Sequence, residues 1–188
     1  MRIKYNAPTI LTFTFISALV LILSNTLLPS LTELWFMVPG KGGFVPSRIR
    51  NWVTLVSHVI GHANWTHLMA NFSLILLIGP ILEDHYGSWP LFSMILLTAL
   101  VTGTLNVLFF PHALLGASGV AFMMILLASF TNFEKGDIPL TFILIVILYL
   151  GREVFNAFTA NTISEFAHII GGFCGSIFGF FKTVKKNG

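Results

Sequence analysis

Residues 116–131 read GASGVAFMMILLASFT and predict a helix that is too short to cross a membrane. From Ser118 to Thr131 there are 14 residues, which extend about 21 Å as an α-helix. The hydrocarbon core of a bilayer is about 30 Å thick. If the other end of this helix reaches the cytoplasmic surface, Ser118 lies several ångströms inside the membrane. Residues 111–117 must then enter as irregular backbone, which is tolerated only inside protein or beside a watery cavity.

The composition indicates an all-α polytopic membrane protein. Of the 188 residues, 55% are hydrophobic and only 9% are charged, whereas a soluble domain has about a quarter of its residues charged. Because open β-structure is excluded from hydrocarbon, we expect a bundle of six transmembrane helices that forms one domain over residues 1–188. The apolar segments are Ile10–Leu28, Leu68–Leu82, Pro90–Phe110, Ser118–Thr131, Ile138–Leu150 and Ile163–Phe181.

Charges and aromatic residues predict how the chain meets the membrane. The connection over about residues 29–65 contains aromatics and arginines, which suit a segment that lies in the interface. With six spans, Lys and Arg divide six to four in favour of the side that holds both termini. We therefore expect a multi-pass protein of the cell membrane with cytoplasmic termini. A net charge of +3 without a basic stripe excludes nucleic acid as a partner, and a single cysteine, Cys174, excludes an internal disulfide.

The start of the short helix suits covalent chemistry at Ser118. A helix N-terminus exposes N–H groups and the positive end of the dipole, which can stabilise an oxyanion formed when the serine attacks a carbonyl. The alternative is that Ser118 caps the helix while Gly116 and Gly119 allow close packing. The motif is not the elbow of soluble hydrolases, because Val120 stands where that motif needs glycine.

His168 lies inside the sixth apolar segment, where an ionisable residue is costly and is a candidate for function. Small residues share its helical face, so it should point into a close helix contact and not at lipid. If the partner helix is that of Ser118, the imidazole can act as its general base. A buried histidine bonded to a backbone carbonyl is the alternative. The residues on this helical face are His168, Gly172, Gly175 and Gly179, with Gly171 at its edge.

A polar cluster precedes and enters the second apolar segment. His67 and Asn71 are four residues apart and share one helical face, from which both can donate hydrogen bonds to an oxyanion. His58 and His62 have the same spacing, and a histidine trio could hold zinc. No carboxylate lies among them and His-Glu-x-x-His is absent, so we expect no metal and no other cofactor. Hydrogen bonds that hold the long loop are the expected role of His58 and His62.

Taken together, these residues resemble the rhomboid family of intramembrane serine proteases. Three motifs in order, with the six-span layout, carry the resemblance over essentially the whole chain. They are His62…His67-x-x-x-Asn71, Gly116-x-Ser118-Gly119 and Ala167-His168-x-x-Gly171-x-x-x-Gly175.

The resemblance implies a Ser118–His168 dyad that acts through an acyl-enzyme and has no acidic third member. It also implies an oxyanion hole formed by His67, Asn71 and the backbone N–H of Ser118. Phe122 matches a position where family members place an aromatic ring against the catalytic histidine. The substrates implied are transmembrane proteins, cut near the extracytoplasmic end of a span within membrane lipid.

Two positions depart from the family pattern. Val53-Thr54 stands where the first loop usually carries Trp-Arg, with Trp52 and Arg50 only nearby. Glu165 precedes His168 by three residues, where a neutral asparagine is common. We hypothesise that this carboxylate, one turn away, makes the His168 imidazole take up a proton more readily.

Other classes of protein fit the sequence less well. A catalytically silent rhomboid-like protein that binds membrane clients is the main alternative, but such relatives generally lack the serine or the histidine. A small channel or transporter would explain broken helices and intramembrane polar residues, yet it gives no reason for serine and histidine to converge. Aspartyl intramembrane proteases need paired aspartates within spans, and the sequence has none.

Overall fold

The computed structural model describes residues 3–130, 140–145, 147–148 and 163–181. Throughout these residues the regular structure is helical, apart from one antiparallel pair between Val38 and Leu114. The helices in chain order are α1 (Pro8–Thr26), α2 (Leu31–Trp35), α3 (Ile49–Ser57), α4 (Trp65–Tyr86), α5 (Ser88–Phe109), α6 (Ser118–Ala128), α7 (Leu140–Ile145) and α8 (Ile163–Phe181).

Three of these helices, α1, α4 and α5, are long and apolar enough to cross a membrane. They contain 19, 22 and 22 residues and so extend about 28–33 Å. Helix α8 has the predicted bounds. Of the predicted fifth segment, 138–150, only α7 and residues 147–148 are described. The count of six spans therefore stays a prediction.

Helix α6 is the core of the molecule. It has 11 residues, and all from Gly119 to Leu127 are buried, as expected for a helix that is apolar all round. It packs against α8, α4 and α5. At about 17 Å, it is shorter than the predicted 14-residue helix, because it ends at Ala128. Because the helix is this short, Ser118 cannot reach the far membrane surface if the other end of α6 lies at the near one.

The N-terminus of α1 is fixed by a carboxylate from the far end of α4. The buried Glu83 side chain accepts hydrogen bonds from the N–H groups of Thr9 (2.8 Å) and Ile10 (3.1 Å). These N–H groups have no acceptor within their own helix, and a negative charge is favourable at this end of the dipole. Gly79 of α4 then allows Ile10 to pack directly on the α4 backbone.

The first loop contains α2 and α3 and packs onto the bundle through α3. Gly103 of α5 admits the backbone of Leu55, since a Cβ there would lie 2.5 Å from the Leu55 carbonyl oxygen. The exposed Trp52 ring donates to the Pro46 carbonyl (2.9 Å) and meets Phe44 edge-on. Trp52 therefore anchors the loop close to the position where the usual Trp-Arg is missing.

Residues 110–117 are irregular backbone that is hydrogen-bonded to the first loop. Val38 and Leu114 exchange two backbone hydrogen bonds of 2.9 and 3.0 Å, and Gly116 donates to the His58 carbonyl at 2.9 Å. Lys41 donates to the Phe110 carbonyl at 2.6 Å. The first loop thus pairs with several backbone groups of the segment that leads to Ser118, and such pairing is what irregular backbone requires inside a membrane.

Candidate active site

Ser118 is the first residue of α6 and is half-buried. The N-cap is Ala117, and no side chain caps the helix, so the interpretation of Ser118 as an N-cap is wrong. The first backbone bond of this turn runs from Ala121 N–H to the Ala117 carbonyl at 2.9 Å. The N–H groups of Ser118 and Gly119 therefore have no acceptor within the helix. The positive end of α6 lies at the serine.

The His168 imidazole lies on the face of α6 that carries Ser118. It stacks on the Phe122 ring with centroids 4.1 Å apart and planes 6° from parallel. Phe122 is one turn after Ser118, and residues four apart share a helical face. The Phe122 ring thus lies against His168, which is the arrangement that the resemblance implies.

Glycines bring α8 against α6 at backbone distance. A Cβ on Gly171 would overlap the carbonyl oxygen of Gly119, and one on Gly175 would overlap that of Met123. One helical turn before Gly171, the Ala167 carbonyl oxygen lies 3.1 Å from the position of a Cβ on Gly119. The predicted close contact is confirmed, but Gly171 lies within it and not at its edge. This contact fixes the height of His168 relative to Ser118.

His67 and Asn71 lie over Gly116, two residues before the serine. A Cβ on Gly116 would lie 2.6 Å from His67 Cε1, 2.7 Å from His67 Nε2 and 3.6 Å from Asn71 Nδ2. The φ angle of Gly116 is +110°, which disfavours any side chain. Glycine is required here for two reasons, and its absent side chain leaves both donor groups beside the backbone that precedes Ser118.

His62 connects the first loop to this group of donors. Its Nδ1–H donates to the Ile60 carbonyl (3.1 Å), which leaves Nε2 as an acceptor for Ala117 N–H (3.4 Å) and Asn71 Nδ2 (3.1 Å). Burial lowers the pKa of His62 to about 4, so the ring is neutral and keeps this acceptor. The sequence predicted a role in holding the loop; it gave no sign that the same ring orients the Asn71 amide.

His58 also holds the first loop, through contacts within α3 and with α5. Its ring contacts the Thr54 carbonyl through Nδ1 (3.2 Å) and the Thr102 hydroxyl through Nε2 (3.4 Å), and burial lowers its pKa to about 4. Because each nitrogen of His58 has a protein partner, this ring holds structure. Among the described residues no three His, Cys, Asp or Glu side chains are grouped to hold a metal ion.

Asn106 is a structural residue of the site that sequence reasoning missed. Its amide nitrogen donates to the carbonyls of His112 (3.0 Å) and Pro39 (3.4 Å), which joins α5 to both loops. The signal was available, since an amide inside an apolar segment usually has a specific partner. Glu165 belongs to α8, but its side chain is outside what the structure describes, so the hypothesis about it stays open to test.

The described helices and this arrangement define a helical membrane protein with a serine at a buried helix start. The Rhomboid domain of the known families matches residues 50–185, which is most of the chain. The chain belongs to the rhomboid family, and it is an integral membrane protein.

Two relatives show how far this similarity extends. The chain is 24% identical to Rhomboid protease GlpG of Haemophilus influenzae over 136 residues, which cover 70% of this chain and 71% of the relative. It is 25% identical to the chloroplastic Rhomboid-like protein 11 of Arabidopsis thaliana over 164 residues, 84% of this chain. The matched region is only 54% of that second relative.

Proposed function

We propose that this protein is an intramembrane serine protease that hydrolyses peptide bonds in or near the transmembrane segments of other membrane proteins. One observation carries the proposal. The imidazole of His168 is held on Phe122, directly along α6 from Ser118, by a glycine contact that brings the two helices to backbone distance. This contact places a histidine beside a helix start whose first N–H groups have no acceptor within the helix.

The proposed reaction begins when His168 takes the proton of the Ser118 hydroxyl as the oxygen attacks the substrate carbonyl carbon. The C–N bond breaks as the imidazolium returns this proton to the leaving amine, and an acyl-enzyme remains. A water molecule, deprotonated by the same imidazole, then releases the acid and restores the serine.

The negative charge of each tetrahedral intermediate would be held by hydrogen-bond donors beside Ser118. These donors are the N–H of Ser118 itself, at the positive end of α6, and the side chains of His67 and Asn71 over Gly116. His62 accepts one hydrogen of the Asn71 amide, and the second hydrogen is then free to reach the oxyanion.

The test is cleavage of a single-span substrate by the full chain in lipid vesicles. We expect wild type to release a product, and Ser118→Ala and His168→Ala to release none. Ser176→Ala and His85→Ala are matched controls, since both residues lie outside the site, and they should keep wild-type rates. A wild type that binds the substrate without cutting it would indicate a catalytically silent client-binding protein and would contradict the proposal.

The oxyanion assignment has its own test. Loss of one such donor lowers turnover by about 10²–10³-fold, so His67→Ala and Asn71→Ala should be slowed to this extent while their melting temperatures stay close to that of wild type. Unchanged rates in both variants would remove these two side chains from the oxyanion hole and leave the Ser118 assignment intact.

A further inference from the structure

An apolar cavity of about 360 Å³ lies between α1, α5 and the end of α3, away from the serine site. Its walls include Phe13 and Ile16 of α1, Ile95 and Leu96 of α5, and Val56 of α3. Ile16 and Leu96 are 43% and 38% exposed, so the cavity opens sideways between two helices that can cross the membrane. In a bilayer crossed by these two helices, the opening would face lipid.

The cavity has the size and depth of a lipid tail. An apolar cavity of about 150 Å³ holds one benzene molecule, so this one has room for roughly a dozen carbon atoms. Along α1 the lining runs from Pro8 to Ile16, which is about 12 Å along the helix axis. That length is most of one leaflet of a hydrocarbon core about 30 Å thick.

The shallow end of the cavity is polar, and a lysine precedes it in the chain. The Thr9 hydroxyl donates to the Ser88 carbonyl (3.1 Å), which shows that α1 and α5 begin at the same membrane face. The Thr12 hydroxyl pairs with the Tyr5 hydroxyl at 2.9 Å, and Lys4 is exposed just before them. At the same face the Glu83 carboxylate is bound by backbone N–H groups of α1, and the neighbouring Asp84 is exposed.

We propose that this cavity binds one acyl chain of an anionic phospholipid, whose phosphate lies near Lys4 and the threonine hydroxyls. The lipid comes from the leaflet at which α1 begins. Apolar burial of the tail supplies the affinity, and the cation favours an anionic headgroup over a zwitterionic one. The site is separate from the serine and does not depend on the proposed protease activity.

Occupancy of the cavity would support the loop that shapes the serine site. Val56, Val59 and Ile60 form its inner wall. These residues flank His58, whose carbonyl binds Gly116, and Ile60 supplies the carbonyl that orients His62. A bound tail packs under this loop and stabilises the folded protein, so added lipid should raise the melting temperature.

The experiment is native mass spectrometry of the detergent-purified full chain with palmitoyl-oleoyl phosphatidylglycerol or phosphatidylcholine. Wild type should retain about one phosphatidylglycerol per chain. Leu96→Trp and Ile16→Trp fill the cavity and should retain at least tenfold less, because losing the burial of about two methylene groups already lowers affinity that much. Leu97→Trp and Phe15→Trp are adjacent, lipid-facing controls that should behave as wild type.

The headgroup is tested by Lys4→Gln, which alters only an exposed residue. We expect it to lower the preference for phosphatidylglycerol over phosphatidylcholine about fivefold. No retained lipid on wild type, or equal retention by lining and control variants, would overturn the proposal. Should neither lining variant fold, the Lys4→Gln result decides, and an unchanged lipid preference overturns it.

Discussion

Replacing Gly171 by alanine should separate α8 from α6 and disable the site without touching a catalytic group. The added Cβ would overlap the carbonyl oxygen of Gly119 and lie 2.7 Å from its carbonyl carbon and 2.9 Å from its Cα. Carbon atoms prefer separations of about 3.5–4.0 Å, so the two helices must part by about 1 Å. His168, one turn earlier on α8, moves with the helix.

The displacement has two measurable consequences. Overpacking of this kind costs about 1–3 kcal/mol of stability, which should appear as a lower melting temperature. A misplacement of about 1 Å between reacting groups can lower the rate about 10²-fold. The assay is the rate at which a fluorophosphonate probe labels the purified protein, measured well below the melting temperature of each variant.

Gly179→Ala is the matched control for this change. It adds the same methyl group to the same helix, but against the Phe130 side chain and not against backbone. The added methyl group would lie 2.9 Å from the Phe130 Cβ, so this variant is overpacked as well and its melting temperature should also fall. The contact lies about 12 Å further along α8, so labelling should stay within about twofold of wild type. Labelling of Gly171→Ala at the wild-type rate would refute the claim that this contact positions His168.

Three further predictions concern the supports of the site. The pKa of His62 is about 4 in the folded protein and about 6.5 in the unfolded chain, so the free energy of unfolding should fall by on the order of 3 kcal/mol as the pH drops from 6.5 to 4. His62→Asn lacks this titrating group, so its melting temperature should fall less steeply with pH than that of wild type. An equal dependence of the two melting temperatures on pH would contradict this prediction. Glu83→Gln weakens the bonds to the start of α1 and should cost about 1–3 kcal/mol, seen as a lower melting temperature with labelling of the remaining folded protein unchanged; an unchanged melting temperature would count against this capping role. Phe122→Ala removes the ring that stacks on the imidazole and should slow labelling even at temperatures where the variant is fully folded. Phe122→Tyr keeps a ring at this position and should keep most of the labelling rate. Equal rates for the two variants would show that the stack has no role.

The lengths of apolar runs predicted the helices well where polar residues do not interrupt them. Helix α8 has the predicted bounds, and α1 and α5 differ from prediction by two residues or fewer at each end. Helix α4 is longer than Leu68–Leu82, since it begins at Trp65 and ends at Tyr86. The extra turns at both ends of α4 are stabilised by polar residues. At its start the hydrogen-bond partner is local, and at its end the partners are distant in sequence. Asn64 caps the first turn, but Glu83 binds backbone 73 and 74 residues away, which no run of hydrophobicity can indicate.

The pairing of site residues within one helix was predictable, and the joining of the site across loops was not. Spacing placed His67 with Asn71 on one helix, whereas only the family resemblance placed Phe122 of α6 against His168 of α8. The role of His62 depends on three partners from separate parts of the chain. Such a role follows from the path of the first loop, for which the sequence offers only aromatics, glycines and prolines.

The most direct measurement of the central claim is a structure of the chain after reaction with a fluorophosphonate. We predict a phosphorus–oxygen bond at Ser118, with the His168 imidazole within about 2.6–3.2 Å of the serine oxygen. The phosphoryl oxygen should face the Ser118 N–H, His67 and Asn71. An adduct on another residue, or an imidazole turned away from the modified serine, would contradict the account.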